Sequence, residues 1–252
     1  MIVAFAKDWD DVPTSITHVL RGMGKTRPVI WVNSIGVRKP GMGRAKDLSR
    51  LMERVRGCRQ PAEHKENMLS VLSPILIPKA ESAVGRWINR KLFRSLIDRE
   101  IRRAQPSRVE YWCAVPNAVD LLPVTGRDCV VYYCVDDWSR FGDLDGSWLA
   151  QKENELLKRA DVVFAVSHFL DAKCRAVAGD RVFYMPHGVD HALFARGTDS
   201  QTVVPDDIAG LAKPVVGFYG NIREWIDFEL IENLARRLSA WSFVLIGQVY
   251  AD

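Results

Sequence analysis

Short apolar runs alternate with longer amphipathic stretches along nearly the whole chain. Runs 2–6 (IVAFA), 28–33 (PVIWVN), 69–77 (LSVLSPILI), 109–113 (VEYWC), 129–135 (CVVYYCV), 161–166 (DVVFAV) and 181–185 (RVFYM) predict strands. They are apolar on both faces rather than alternating, the pattern of a parallel sheet buried between helices. Between them, 81–105 predicts a helix with Val84, Trp87, Ile88, Lys91, Leu92 and Ser95 along one side, continuing to Leu96. It starts with an acid and ends in basic residues, as the helix dipole favours. A helix is also expected over 13–21. Ser147 is the expected N-cap of a helix over 147–159, and Ser167 that of the next. Alternating β and α elements predict a doubly wound α/β domain.

The pattern breaks once. After PHGVDHALF (186–194), residues 196–212 are polar, carry Gly, Pro and Asp, and have no period, which marks a linker. It restarts as strand 214–219, a Gly-Asn turn, helix 225–239 and strand 242–246, a single βαβ unit. The expected organisation is a first domain over 1–195, a linker over 196–212 and part of a second domain over 213–252. One βαβ unit leaves much of its apolar surface uncovered, so a C-terminal truncation is expected.

Composition adds limits. The 252 residues are 48% hydrophobic and 26% charged, ordinary for a globular protein. Apolar runs are far shorter than the ~20 residues of a membrane helix, and the N-terminus turns acidic before an h-region forms. Five scattered cysteines with no CxxC pair fit a reducing compartment, so a cytoplasmic location is expected. The net charge of +4 conceals an asymmetry: residues 21–108 hold 21 Lys and Arg against 7 Asp and Glu. Such a basic segment suits an anionic neighbour, whether phosphate, membrane surface or nucleic acid, or else solvates helix faces.

Residues 22–26 (GMGKT) imitate the end of a phosphate-binding loop, but Val19 stands where that motif needs its first Gly. A helix C-cap, with Gly22 or Gly24 left-handed, is the expected reading. A GxGxxG fingerprint, HExxH and Cys/His clusters are absent from the sequence, so no metal site is expected. The chemistry concentrates at strand ends, where open α/β sheets bind ligands. Strand 2–6 runs into Lys7, Asp8 and Trp9, and strand 129–135 into Asp136, Asp137 and Trp138. Each places carboxylates beside an indole on which a sugar ring can stack. Adjacent acids point different ways, so one of Asp136 and Asp137 can reach the cleft as a general base while the other braces a loop or caps a turn.

Residues 160–194, with ADVVFAVS and PHGVDHALF, resemble the late first domain of GT-B-fold glycosyltransferases, which carry an ADxVxxxS segment and a PNGVDxxxF hinge turn. KPVVGFYGNIREWIDFELIENLARRLSAWSFVLIG (213–247) is similar to the opening βαβ of their donor domain. VVYYCVDDWSRF (130–141) is similar to the subgroup of teichuronic-acid and exopolysaccharide assembly. The resemblance implies sugar transfer from a nucleotide-diphosphate donor to a glycan or lipid-linked acceptor, in a cleft between two domains, with no cofactor and no metal. It implies donor binding at Gly220, Asn221 and Arg223, and the strand-end residues are then expected to serve as catalytic groups (Asp136 and Asp137) and on the acceptor side (Asp8, Trp9 and Trp138). Backbone amides of Gly-rich turns and helix N-termini would hold the phosphates. The family's Arg after that Gly is replaced by Asn221, and its hinge-turn Asn by His187. Its Glu-x7-Glu segment has no counterpart before Asp252, which leaves transfer by this chain alone in question. The basic first domain, with 84–105 as a surface helix, then suits peripheral contact with an anionic membrane at its inner face. A non-catalytic glycosyltransferase-like binding protein and a basic nucleic-acid-binding α/β protein are the alternatives; no nucleic acid partner is expected.

Overall fold

The computed structural model describes residues 1–34, 62–74, 83–123, 128–140 and 145–249. Residues 75–77 of the expected strand 69–77, residues 81–82 of the expected helix, Phe141 and Cys58 lie outside them. The chain forms two compact units, Met1–Gly188 and Val189–Asp252, dividing inside the PHGVD turn.

The first unit is built on strands β1 (Ile2–Phe5), β2 (Val29–Val32), β3 (Glu63–Glu66), β4 (Leu69–Leu72), β5 (Glu110–Cys113), β6 (Cys129–Cys134), β7 (Val162–Ala165) and β8 (Val182–Tyr184). Among the described residues they form one sheet in the order β3-β4-β2-β1-β5-β6-β7-β8. All neighbours are parallel except β3 and β4. Every residue of β1 and β2 is buried, as strands covered on both faces require. Phe5 meets Phe93 at 5.3 Å and Tyr111 at 6.5 Å between ring centroids, joining the centre of the sheet to a helix.

The antiparallel β3 is invisible to apolar periodicity because its sequence is EHKE. It is an edge strand whose charges discourage further strand pairing. Arg21 reaches Glu66 at 2.7 Å and ties this edge to helix α1 (Ser15–Gly24). Gly22 and Gly24 lie within that helix and neither has positive φ, which corrects the expected left-handed cap. Gly24 is buried, and a side chain there would lie against Leu69 and Val29.

Helix α2 (Ala83–Ala104) divides the side read from its sequence, with Leu96 packed partly buried on the core. The side marked by Val84, Trp87, Lys91 and Leu92 faces outward, whereas Asn89, Phe93 and Ile97 are buried against the sheet. The apolar spacing gave a broad face, and tertiary packing selected the opposite stripe. Helix α3 (Gly146–Arg159) is capped by Asp145, which accepts from the Trp148 amide at 3.1 Å. Ser147 instead donates to Asp145 and does not cap the helix. A side chain at Gly146 would collide with the Ser139 carbonyl, so only glycine lets the helix start this close to the loop after β6. Ser167 does cap α4 (His168–Ala178), accepting from the Leu170 amide at 3.2 Å. Among the described residues, no helix is long and apolar enough to cross a membrane.

The second unit holds two short helices, α5 (His191–Ala195) and α6 (Asp206–Ala209), and then β9 (Val215–Tyr219), α7 (Phe228–Arg237) and β10 (Ser242–Ile246). β9 and β10 are parallel, with Val215 opposite Ser242 and Tyr219 opposite Ile246. β9 is exposed along its whole length.

The inverted packing of α2 is measurable. Phe93→Ala should destabilise the first unit by about 3–5 kcal/mol in urea titration. Trp87→Ala, on the outer face, should change stability by no more than about 0.5 kcal/mol.

Candidate active site

The strand order reverses between β1 and β5, so the crevice of this α/β sheet lies beyond the carboxyl ends of its central strands. After β1, the Asp8 carboxylate accepts from the Ser34 amide at 2.9 Å. The Trp9 amide donates to Asn33 at 2.9 Å, and Asn33 donates onward to Ser73 at the same distance. Three adjacent strand ends are thereby laced together. The Trp9 ring stands edge-on to Trp31 at 5.3 Å, with the Arg21 guanidinium 4.9 Å from its centroid. The Trp9 indole is thus engaged by protein on this side, and Asp8 shapes a loop.

After β6, the two neighbouring acids enter different surroundings. Asp137 turns back onto the protein. It accepts from Ser139 Oγ at 2.6 Å and from Lys173 Nζ at 2.9 Å, with Arg140 at 3.3 Å. Burial raises its carboxyl, but the Ser139 and Lys173 hydrogen bonds and the lysine charge outweigh this and hold it below the ordinary 3.8. Asp136 is exposed at its surface, yet nearby protein displaces enough water that burial pushes its carboxyl above the ordinary range. The nearby His187 imidazole acts in the opposite sense. His187 Nδ1 in turn shares a 2.8 Å hydrogen bond with Ser15 Oγ across 172 residues. Trp138 starts a short 3₁₀ turn and packs partly buried against the core.

The brace under Asp137 is Lys173, which also contacts Glu153 at 2.6 Å. Glu153 is only 2% exposed and accepts a 2.7 Å hydrogen bond from Tyr132 in the middle of β6. Burial pushes the Tyr132 phenol well above its usual value, with the charge of Glu153 adding to the effect, so the phenol stays protonated and donates. Burial lowers the Lys173 ammonium, but its bonds to Glu153 and Asp137 prevail and raise it above 10.5. Strand β6, helix α3, helix α4 and the Asp136–Asp137 loop are therefore joined through two charged side chains, Glu153 and Lys173. Lys173, Glu153, Ser15 and Asn33 have no sequence signature, because each acts on residues distant in the chain.

In the second unit, Gly220 follows β9 with φ 150° and Gly247 follows β10 with φ 154°. A side chain on Gly247 would collide with the Gly220 backbone, so two glycine-bearing strand ends lie in contact. The Gly220 amide donates to the Ile246 carbonyl and the Ile222 amide to the Gln248 carbonyl, both at 2.9 Å. Asn221 stands between these two ladder positions. Arg223 lies over the Trp225 ring at 5.4 Å. Helix α7 begins later than expected, and its N-cap Asp227 accepts from the Leu230 amide at 2.8 Å. A carboxylate thus occupies the helix end at which a phosphate is expected.

Replacing Lys173 by Met should strand the buried Glu153 charge and cost about 3–5 kcal/mol. Adding Glu153→Gln, which can still accept from Tyr132, should recover part of that loss. Because the Lys173 value is raised, its contribution is complete below 10.5 and fades as pH climbs through the folded value. The lowered Asp137 contributes above 3.8 and is lost as pH falls through its folded value. Urea titrations should accordingly show a level difference between wild type and Lys173→Met from about pH 5 to about pH 9.

No protein-family model matches the chain. A 155-residue segment, 57% of this chain and 38% of the relative, is 24% identical to TuaH of Bacillus subtilis (strain 168), which bears the name of a teichuronic acid biosynthesis glycosyltransferase. The E. coli trehalose-6-phosphate structure bound with UDP-2-fluoro glucose superposes on 99% of this chain with a TM-score of 0.57 at 10% identity. Sucrose-phosphate synthase of Thermosynechococcus elongatus superposes on 98% with a TM-score of 0.55 at 11% identity. This chain spans 65% and 70% of the lengths of those two structures. Taken with a parallel-sheet first unit and a βαβ second unit, these likenesses establish that the chain has the GT-B glycosyltransferase fold.

Proposed function

We propose that this protein transfers a sugar from a nucleotide-diphosphate donor to a glycan or lipid-linked acceptor in cell-envelope polysaccharide synthesis. The 155-residue likeness to TuaH supports the reading, because it is a likeness of sequence and not of fold alone. Asp136 serves as general base. As the acceptor oxygen bonds to the anomeric carbon and the bond to the diphosphate breaks, Asp136 takes the hydroxyl proton. A carboxyl raised by burial is the better base of the pair, since its proton affinity lies nearer the working pH. Asp137, bound to Lys173, holds the loop that presents Asp136 and Trp138. Asp8 and Trp9 line the acceptor side.

On the donor side, Gly220 and Asn221 bring backbone close to the diphosphate and Arg223 offers it positive charge. The residues on hand supply these roles without a metal. The enzyme works in the cytoplasm and meets its acceptor at the inner face of the membrane.

The test is release of nucleoside diphosphate from a panel of nucleotide sugars, with and without lipid-linked acceptors. Asp136→Asn should lower kcat by about 10²–10⁴-fold, the usual share of a general base. Full activity in that variant would remove Asp136 from the chemistry, and no turnover of any donor would sink the enzymatic reading. The acid limb of kcat/KM should lie above 3.8, the ordinary value for Asp136. Since His187 lowers that value, His187→Asn should move the limb to higher pH.

A further inference from the structure

One cation at the carboxyl end of the central strands has no part in the brace. Lys7 stands two residues past the end of β1, where the strand order reverses. Its carbonyl accepts from the Trp31 indole at 2.9 Å, and the carboxylate of the next residue, Asp8, accepts from the Ser34 amide at 2.9 Å. The backbone that carries the lysine is thus tied to β2 and to the chain just past it.

The ammonium is half-buried, and among the described residues it makes no hydrogen bond and no ion pair. Three acids follow it closely in the chain, and none neutralises it at short range. Asp8 is engaged by the Ser34 amide, while Asp10 and Asp11 are exposed to water. Asp11 attracts the lysine through its charge, but burial outweighs that attraction and lowers the ammonium below 10.5. A charge deprived of water without a close partner costs stability, and at the mouth of a ligand crevice such a charge is matched by the ligand.

The sheet register says which part of the ligand. Phe5 lies opposite Cys113 and Cys113 opposite Tyr132, so β1 and β6 are two strand spacings apart, about 10 Å. Asp136 stands two residues past β6, as Lys7 does past β1. A hexose ring with its substituents bridges a gap of that width. We propose that Lys7 selects an acceptor whose sugar carries an anionic group, a carboxylate or a phosphate ester, on the side away from the hydroxyl that meets Asp136. A compact point charge on a flexible stem suits either oxyanion. This role for Lys7 rests on the proposed sugar transfer and names its acceptor class. It is measured by binding alone, so it can fail while sugar transfer stands, and the reverse.

The experiment is equilibrium binding of the full chain to glucose, glucuronic acid and glucosyl phosphate, by titration calorimetry or ligand-detected NMR. At least one of the two anionic sugars should bind about tenfold more tightly than glucose, the scale of one charge-assisted hydrogen bond. Whichever leads tells a uronate acceptor from a phosphate-linked one. Lys7→Met should abolish the preference, and Lys7→Arg should keep part of it. The urea midpoint is the second readout: a lysine held for a ligand has no partner to lose, so Lys7→Met should leave stability unchanged or raise it. Equal binding of all three sugars, a preference that survives Lys7→Met, or a lower urea midpoint in that variant would overturn the inference. So would glucosyl phosphate binding that is lost in Arg223→Gln and kept in Lys7→Met, with no preference for glucuronic acid.

Discussion

Glu153 is a carboxylate buried beneath the carboxyl end of a central strand, and the neighbouring structure is arranged around meeting its charge. Tyr132 reaches it from the strand and Lys173 from helix α4. An isolated ion in that position would cost several kcal/mol, so the phenol and the ammonium are conditions of folding there. The lysine has bonding capacity beyond one partner, and it extends to Asp137. The loop that presents Asp136 is thus fixed from below by an interaction whose first task is structural. Glycine at 146 completes the brace by letting helix α3 start against Ser139.

This brace explains how two adjacent acids acquire opposite properties. Both acids lie past the end of β6, in the bend that leads into the short turn at Trp138. Asp137 turns toward the lysine and is held ionised. Asp136 turns away, loses water without gaining a salt bridge, and has its carboxyl raised. On the proposed reading that contrast separates a proton acceptor from a support. His187 moderates it from the PHGVD turn, and Ser15 at the start of α1 holds the imidazole in place.

The sequence carried the parallel sheet clearly, because buried strands such as IVAFA and CVVYYC are apolar on both faces and leave no other assignment. It placed Asp136, Asp137 and Trp138 just past a strand end for the same reason: once the strand is known, so is its edge. It could not carry β3, since EHKE has no apolar face, nor the choice of stripe on α2, which depends on where Phe5 stands in the sheet. Lys173 and Glu153 were equally hidden. A lysine and a glutamate in amphipathic helices ordinarily face water, and these two meet across 20 residues of chain. Local rules also misplaced one N-cap, where Asp145 outcompeted Ser147 for the helix amides. A carboxylate is the stronger acceptor at a helix N-terminus.

The second unit puts a physical restriction on the proposed donor site. The Asp227 carboxylate already accepts from the Leu230 amide at the start of its helix, and a further anion at that terminus would meet a like charge. The diphosphate is therefore better served by the earlier turn, where Gly220 and Gly247 bring two strand ends into contact and leave no side chain in the way. Neutral turns of this kind permit approach but supply little charge. On the proposed reading that falls to Arg223, whose guanidinium lies over the Trp225 face. Stacking on the ring orients the guanidinium, and a phosphate reaching this turn would meet its positive charge. The replacement of the family's post-glycine Arg by Asn221 is then a shift of charge by two residues, made workable by a ring that holds the displaced arginine.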